Sequence, residues 1–257
     1  VSPDGEWLAT GQWNGTIHLV PVSGGETKRL TGFESDFTAI SFDKTGRRLA
    51  AAAGGRKASD RMIRIWDLES GEVQVLDTGG SLVGRLRFEG DNLLYSSGPR
   101  GLRRWNLQQG TSELLIPELL GRFGGALSPN GRFFLGPEMR EVNGQEVNEV
   151  FIYDLEQDEQ WSLPSHGDQA LSHAWHPNGE VIATSSQEDG SIRVSTLHGE
   201  NTHILYGHTD GCGIWIDPTG KWIGSVGADG MFFLRPMPDV SKPQSHTLPY
   251  EELIAKL

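Results

Sequence analysis

Six copies of one turn, set at nearly constant intervals, restrict the folds open to this chain more than any other feature of its sequence. The turn follows an apolar stretch and reads Pro3-Asp4-Gly5, Lys44-Thr45-Gly46, Glu89-Gly90-Asp91, Pro129-Asn130-Gly131, Pro177-Asn178-Gly179 and Pro218-Thr219-Gly220, with glycines 41, 44, 41, 48 and 41 residues apart. A second marker, a run of alternating apolar residues, keeps the same step. It reads Ile17-His18-Leu19-Val20, Ile63-Arg64-Ile65-Trp66, Leu102-Arg103-Arg104-Trp105, Val150-Phe151-Ile152-Tyr153, Ile192-Arg193-Val194-Ser195 and Phe232-Phe233-Leu234-Arg235, and its last positions lie 46, 39, 48, 42 and 40 residues apart. Two independent markers in step six times imply an internal repeat, and a period of this length means stacked supersecondary units.

Between the markers lies another short apolar segment, at Trp7 to Gly11, Arg48 to Ala52, Leu93 to Ser97, Arg132 to Leu135, Val181 to Ser185 and Lys221 to Val226. After the second marker come turn residues such as Ser23-Gly24-Gly25 or Glu69-Ser70-Gly71, then a fourth strand such as Glu72 to Leu76. Four strands per repeat make one blade of a β-propeller. The expected fold is therefore all-β, with about six four-stranded antiparallel blades over residues 1–33, 34–79, 80–121, 122–165, 166–207 and 208–248. The 34 glycines and 8 tryptophans agree, since they suit many tight turns and bulky strand positions.

The Pro-Asp-Gly turns, the pair Trp66-Asp67 and the pair Gly207-His208 resemble the WD-repeat family over nearly the whole chain. The resemblance implies a buried set of His, Ser or Thr, Asp and Trp in each blade. The sixth blade offers His208, Ser225 and Asp229 with Arg235 where Trp would stand, and the fifth offers His166 and Asp189 with Ser195 there. On sequence alone these substitutions leave the polar sets incomplete.

The first blade opens at Val1-Ser2-Pro3, so its innermost strand is expected to be missing, and the resemblance, in which seven blades are common, implies about one more blade upstream. At the other end Pro249 suits a first helical position, and Tyr250, Leu253, Ile254 and Leu257 fall at helical spacing, giving an expected short helix over 247–257. That stretch resembles the tail that follows propellers in large bacterial regulators, notably serine/threonine kinases with carboxy-terminal repeats. An ordinary terminal helix packed on the last blade accounts for it equally.

A formal charge of −12, with no long run of Lys and Arg, argues against a nucleic-acid partner. The single cysteine, Cys212, excludes an intrachain disulfide and a multi-thiolate metal site and reads as a small buried group. The longest weakly polar stretch, Leu49 to Gly55, is too short to span a bilayer, so no membrane contact and a cytoplasmic location are expected.

No phosphate loop, dinucleotide fingerprint, zinc-protease helix or kinase signature is present, and no cofactor is expected. His166, His173 and His176 are the strongest metal candidates by proximity. Strand alternation should turn His173 and His176 to opposite faces, so no metal site is assigned. Ser185 with Asp189, or Ser225 with Asp229, suggests a nucleophile, but each aspartate precedes a glycine as turn residues do, and no base is specified.

Partner-binding candidates lie in the connections. Trp66 and Trp105 read as core, whereas Trp13, beside Asn14-Gly15, reads as an exposed turn aromatic. Blade two carries extra residues from Gly54 to Arg61, including Arg56, Lys57 and Arg61, between its second and third strands. Blade four carries a longer insert from Gly136 to Glu146, including Glu138, Met139, Arg140 and Glu141, at the equivalent place. Loops between equivalent strands should emerge on one face, here one basic and one acidic. The leading expectation is a non-catalytic module binding a protein or peptide; the alternative is an enzyme or small-ligand binder using a central channel.

Overall fold

A computed structural model describes residues 1–242 except 56, 58–59, 118, 120–124, 143–144, 164–165, 167–169, 187, 189 and 209–210; of residues 137–142, 145–148 and 170–171 only the backbone is described. The expected helix over 247–257 and the candidate Arg56 lie outside the described residues. The chain divides into two compact units, Val1–Gly124 and Gly125–Leu257. Among the described residues every regular element is a strand, and no helix is long and apolar enough to cross a membrane.

The first unit holds three antiparallel sheets in chain order. They are β1 (Trp7–Gly11), β2 (Ile17–Pro21) and β3 (Lys28–Leu30); β4 (Phe37–Phe42), β5 (Arg48–Ala53), β6 (Met62–Asp67) and β7 (Val73–Asp77); and β8 (Arg85–Glu89), β9 (Leu93–Gly98), β10 (Gly101–Asn106) and β11 (Thr111–Ile116). The second unit holds three more. They are β12 (Ala126–Leu127), β13 (Phe133–Val142), β14 (Gln145–Asp154) and β15 (Glu159–Leu163); β16 (Ala170–Trp175), β17 (Val181–Ser186), β18 (Ile192–Thr196) and β19 (Thr202–Leu205); and β20 (Cys212–Ile216), β21 (Trp222–Gly227) and β22 (Phe232–Pro236). Each strand pairs with its sequence neighbour, and first strands of consecutive sheets lie side by side, β4 by β8 and β16 by β20. These are the blades of a β-propeller.

The turn that marks the repeat has one structure in five of the six sheets. The N–H of the residue before the turn donates to the carbonyl five residues on, as from Asp43 to Arg48 and from Asp217 to Trp222 at 2.9 and 3.0 Å. The turn glycine donates back, with φ near +75° at Gly5, Gly46, Gly131 and Gly179, in the left-handed region that glycine enters without steric cost. Glu89-Gly90-Asp91 differs from the shared reading: Glu89 pairs directly with Leu93, giving a tighter hairpin.

Stacking of sheets makes the core. In each unit the apolar face of one sheet packs on that of the next. Ala50, Ala52, Ile63 and Ile65 of the second sheet meet Phe88, Leu94 and Trp105 of the third. Val181, Ala183, Ile192 and Val194 of the fifth meet Cys212, Ile214 and Ile223 of the sixth. At about 1.5–3 kcal/mol per buried aliphatic side chain, these junctions supply the main driving force. Cys212 is fully buried there, as a small apolar residue would be.

One expectation differs from the structure. The insert at Gly136 to Glu146 is not a loop: β13 and β14 are ten residues long and stay paired out to Val142 and Gln145. Alternation through Glu138-Met139-Arg140-Glu141 around Asn143-Gly144, the strongest short hairpin signal, favours continued pairing over a loop.

Candidate partner-binding surface

The connections from β1 to β2, from β5 to β6 and from β9 to β10, together with the links leading from one sheet to the next, are joined in series by hydrogen bonds and close contacts in the first unit. In the first, Gln12 and Thr16 close a turn by a 2.9 Å backbone bond, and Asn14 accepts the Thr16 N–H through its side chain at 3.1 Å. Gly15 at φ +76° has no room for a Cβ, which would stand 2.2 Å from the Phe33 carbonyl oxygen. The tight closure turns Trp13 outward, and its side chain is 90% exposed. Beside it runs a cleft of roughly 410 Å³ lined by Trp13, Gln12, Asp36, Phe37, Thr38 and Ile40.

The second connection is anchored from below. Asp60 is buried and accepts the backbone N–H of Glu34 at 2.9 Å, while Gly54 donates to Asp36 at 3.0 Å. Lys57 is exposed and paired with Glu34, and hydrogen bonding to that carboxylate holds the ammonium above the usual lysine value. Arg61 is half-buried, and its carbonyl accepts the Thr78 hydroxyl. In the third connection Arg100 is exposed and donates to the Gly79 carbonyl at 3.1 Å. Trp13, Lys57, Arg61 and Arg100 thus belong to one bonded series of loops. Arg100 was missed by the sequence reading, although Gly98-Pro99-Arg100-Gly101 is a turn at the same place in its repeat. Glu138, Met139, Arg140 and Glu141 lie on β13 in the second unit, opposite Glu149, Asn148, Val147 and Glu146.

The buried polar sets are fuller than the sequence implied. His208 lies 2.9 Å from Ser225 Oγ through Nε2 and 3.2 Å from both oxygens of Asp229 through Nδ1. An Nδ1–H donated to the carboxylate leaves Nε2 to accept the serine hydroxyl. The missing base for Ser225 is thus present, and the order Ser–His–Asp is that of a hydrolytic triad. Ser225 and His208 are both buried, so the hydroxyl is closed off from solvent, while Asp229 lies at the surface edge of the set. In the fifth sheet His166 approaches Thr184 Oγ1 at 2.9 Å and Ser191 Oγ at 3.3 Å. In the third, Trp105 Nε1 donates to Ser96 at 2.8 Å. The members His208, Ser225 and Asp229 are those the resemblance implied, whereas Thr184 and Ser191 beside His166, and Ser96 beside Trp105, were not anticipated, because partner positions on adjacent strands depend on register. Ser185 is engaged with the Cys212 carbonyl at 2.6 Å, and Asp189 lies outside the described residues.

The remaining histidine candidates do not converge. His176 Nε2 donates to the Gly220 carbonyl at 3.0 Å and Nδ1 accepts from Asn178, while His173 is buried on β16. Among the described residues no three His, Cys, Asp or Glu side chains are grouped as metal ligands.

Comparison with known proteins agrees with this architecture. The family model described as "WD domain, G-beta repeat" matches residues 1–20, 24–67, 157–194 and 199–234, more than half of the chain. The WD repeat-containing protein SL1-17 of Schistosoma mansoni is 28% identical over 121 residues, 46% of this chain and 38% of that protein. Protein tipD of Dictyostelium discoideum is 24% identical over 186 residues, 71% of this chain and 25% of that protein. The matches span well under half of either relative.

Proposed function

The chain belongs to the WD-repeat family, and from that premise we propose that it is a non-catalytic module that binds a protein or peptide through the loop end of its first unit. The observation that carries this reading is Trp13, 90% exposed on a closed turn beside a cleft. A rigidly presented aromatic is the residue type most often found at the energetic centre of an interface. Lys57, Arg61 and Arg100 place three cations on the same bonded loops, in a chain whose formal charge is −12. The ligand is accordingly a segment with an apolar or aromatic anchor flanked by carboxylates. The hairpin bearing Glu138, Met139, Arg140 and Glu141 adds a second contact region. The setting we propose is a larger cytoplasmic regulator of bacterial type, supported by the resemblance of the tail 247–257; the two relatives come from eukaryotes.

Selection of a displayed peptide library on the chain, followed by calorimetry on the enriched peptides, tests this. Trp13→Ala should weaken binding by about 2 kcal/mol or more, and Lys57→Glu by a smaller, salt-sensitive amount. Peptides that bind both variants as tightly as the parent chain would sink the proposed surface.

A further inference from the structure

Two clefts open at one place in the repeat, where the fourth strand of a sheet begins, and their walls differ. The cleft of the second sheet, roughly 380 Å³, is lined by Arg48, Asp67, Glu72 and Gln74. That of the fourth sheet, roughly 490 Å³, is lined at the same register by Phe133, Asp154, Glu159 and Trp161. Gln74 Nε2 donates to the Leu107 carbonyl of the third sheet at 2.7 Å, and Trp161 Nε1 donates to the Leu197 carbonyl of the fifth at 2.9 Å. The residue after each acceptor is Gln108 in one case and His198 in the other. Three polar positions are thus aromatic in the fourth-sheet cleft: Phe133 for Arg48, Trp161 for Gln74 and His198 for Gln108. The anchored indole lies 4.8 Å from the exposed imidazole, tilted by 33°, and Phe133 meets it edge-on at 6.1 Å. Both sheets that bound this cleft have all four strands.

We propose that the fourth-sheet cleft docks an extended segment of another protein by a lysine or arginine side chain, its stem on the aromatic wall and its charge against Glu159 and Glu200. Long cationic side chains bury their stems on apolar surface while the head stays at a polar rim. The rim here is anionic. Arg132, the one cation on the wall, is spent on Asp154 at 2.5 Å and on Glu156 at 3.6 Å. Glu159 is exposed and carries no ion pair among the described residues, and Glu200 stands exposed two positions after His198. The exposed amides of Gln157 and Gln160 offer donors and acceptors to the backbone of an extended segment. An acidic segment would meet uncompensated carboxylates, and an apolar one would leave them without the complementary charge that gives an interface its specificity. The site is independent of the loop end proposed above: it uses other residues, lies in the other unit and selects the opposite charge.

Selecting a displayed random peptide library on the chain carrying Trp13→Ala separates this site from the loop end. The enriched peptides should carry Lys or Arg, and calorimetry should show Glu159→Lys weakening them about tenfold or more, with added salt lowering the affinity. His198→Ala should weaken them less, through the aromatic wall alone. Glu72→Lys, at the equivalent place in the second sheet, should leave binding unchanged. All three positions are exposed, and an unchanged circular dichroism spectrum and melting temperature would confirm that the variants fold. Enriched peptides without a cation would overturn the proposal. So would an equal loss with Glu72→Lys and Glu159→Lys, since that marks general attraction to a chain of charge −12 and not a site. No enrichment on the Trp13→Ala chain would overturn it as well, whatever the parent chain selects through its loop end.

Discussion

The second and sixth sheets occupy the same repeat position with opposite chemistry. In the sixth, Gly207-His208 leads into the sheet and the imidazole is spanned by Ser225 and Asp229. In the second, Gly32-Phe33 stands at that place, Ala51 replaces the serine, and the phenyl ring sits edge-on to Trp66 at 6.1 Å and to Phe37 at 5.2 Å. Asp60, which holds the place of Asp229, is redirected to the Glu34 backbone. In both an arginine passes over the glycine, so that a Cβ would lie 2.6 Å from Arg64 or 2.3 Å from Arg235, and Gly32 in addition has a φ of +138°, which favours glycine by itself. What the repeat requires is a filled volume with every buried polar atom engaged, and polar and apolar solutions both meet that requirement.

If the two solutions are equivalent in volume, emptying the apolar one should cost most. Phe33→Ala removes a buried ring from the junction of the first and second sheets, and a loss of roughly 3–5 kcal/mol is expected in urea unfolding. A loss below about 1 kcal/mol would mean that the site collapses freely and that the ring is not a structural member.

The polar solution should fail by a different route. His208→Ala takes a buried hydrogen-bond partner from Ser225 and another from Asp229, for an expected cost of about 2–3 kcal/mol, whereas Ser225→Ala removes one bond at about 1 kcal/mol. Transplanting the polar residue alone is the sharper comparison. Phe33→His would bury an imidazole opposite Ala51, with Asp60 already engaged, and should destabilise by about 1–3 kcal/mol, although His is the residue the resemblance expects there. A neutral Phe33→His would show that the second sheet retains a latent polar set.

This comparison also explains how far the sequence could be read. Repeat length, blade number and strand positions were legible because the turn glycines and alternating apolar runs act locally, and local geometry fixes both. Trp66 and Trp105 could be placed in the core on that basis, and Trp13 on the surface. The grouping of His208 with Ser225 and Asp229 was legible only through the family resemblance, whereas that of His166 with Thr184 was not, because those residues are 18 positions apart and meet only through the alignment of neighbouring strands. The hairpin of β13 and β14 was passed over for the opposite reason: its Asn143-Gly144 signal is local, but the uniform repeat suggested a loop. Phe33 could not be recognised as a substitute for His without knowing that Asp60 had another acceptor role.

Two buried aspartates, each paired with an arginine and one in each unit, should set the acid limit of both units. Asp154 is held below its ordinary value of 3.8 by hydrogen bonds from Arg132, helped by the backbone of Glu156 and Gln157. Burial pushes Asp43 upward, but the Arg48 backbone and guanidinium with the Thr45 hydroxyl outweigh it and leave Asp43 lowered as well. Each carboxyl has a folded pKa below its unfolded one, so its contribution is complete above about pH 4 and disappears as pH falls through the folded value. Melting temperature should be flat above that pH with respect to these groups and fall below it. Asp43→Asn and Asp154→Asn should lower the plateau and flatten the acid limb, and an acid limb unchanged in both variants would rule these residues out as its source.

The smallest expected effect extends the comparison to the turn between third and fourth strands. In the second and third sheets that turn closes on Gly71 and Gly110, at φ +77° and +66°, with the glycine N–H donating to Asp67 and Asn106 at 2.9 Å. In the fourth sheet the same bond to Asp154 is made by Asp158 at φ +56°, the one non-glycine with positive φ among the described residues. An aspartate tolerates this region better than most side chains but still strains against its own Cβ, whereas glycine enters freely and loses more entropy on folding. The two terms oppose each other at about 1 kcal/mol apiece, and for an exposed side chain with no other role the relief should be slightly the larger. Asp158→Gly is therefore expected to raise stability by at most about 1 kcal/mol, read as a small rise in melting temperature. A fall instead would show that the Asp158 side chain stabilises the turn in a way glycine cannot, and that residues can replace one another at this position only when, as at Phe33, the neighbours have changed with them.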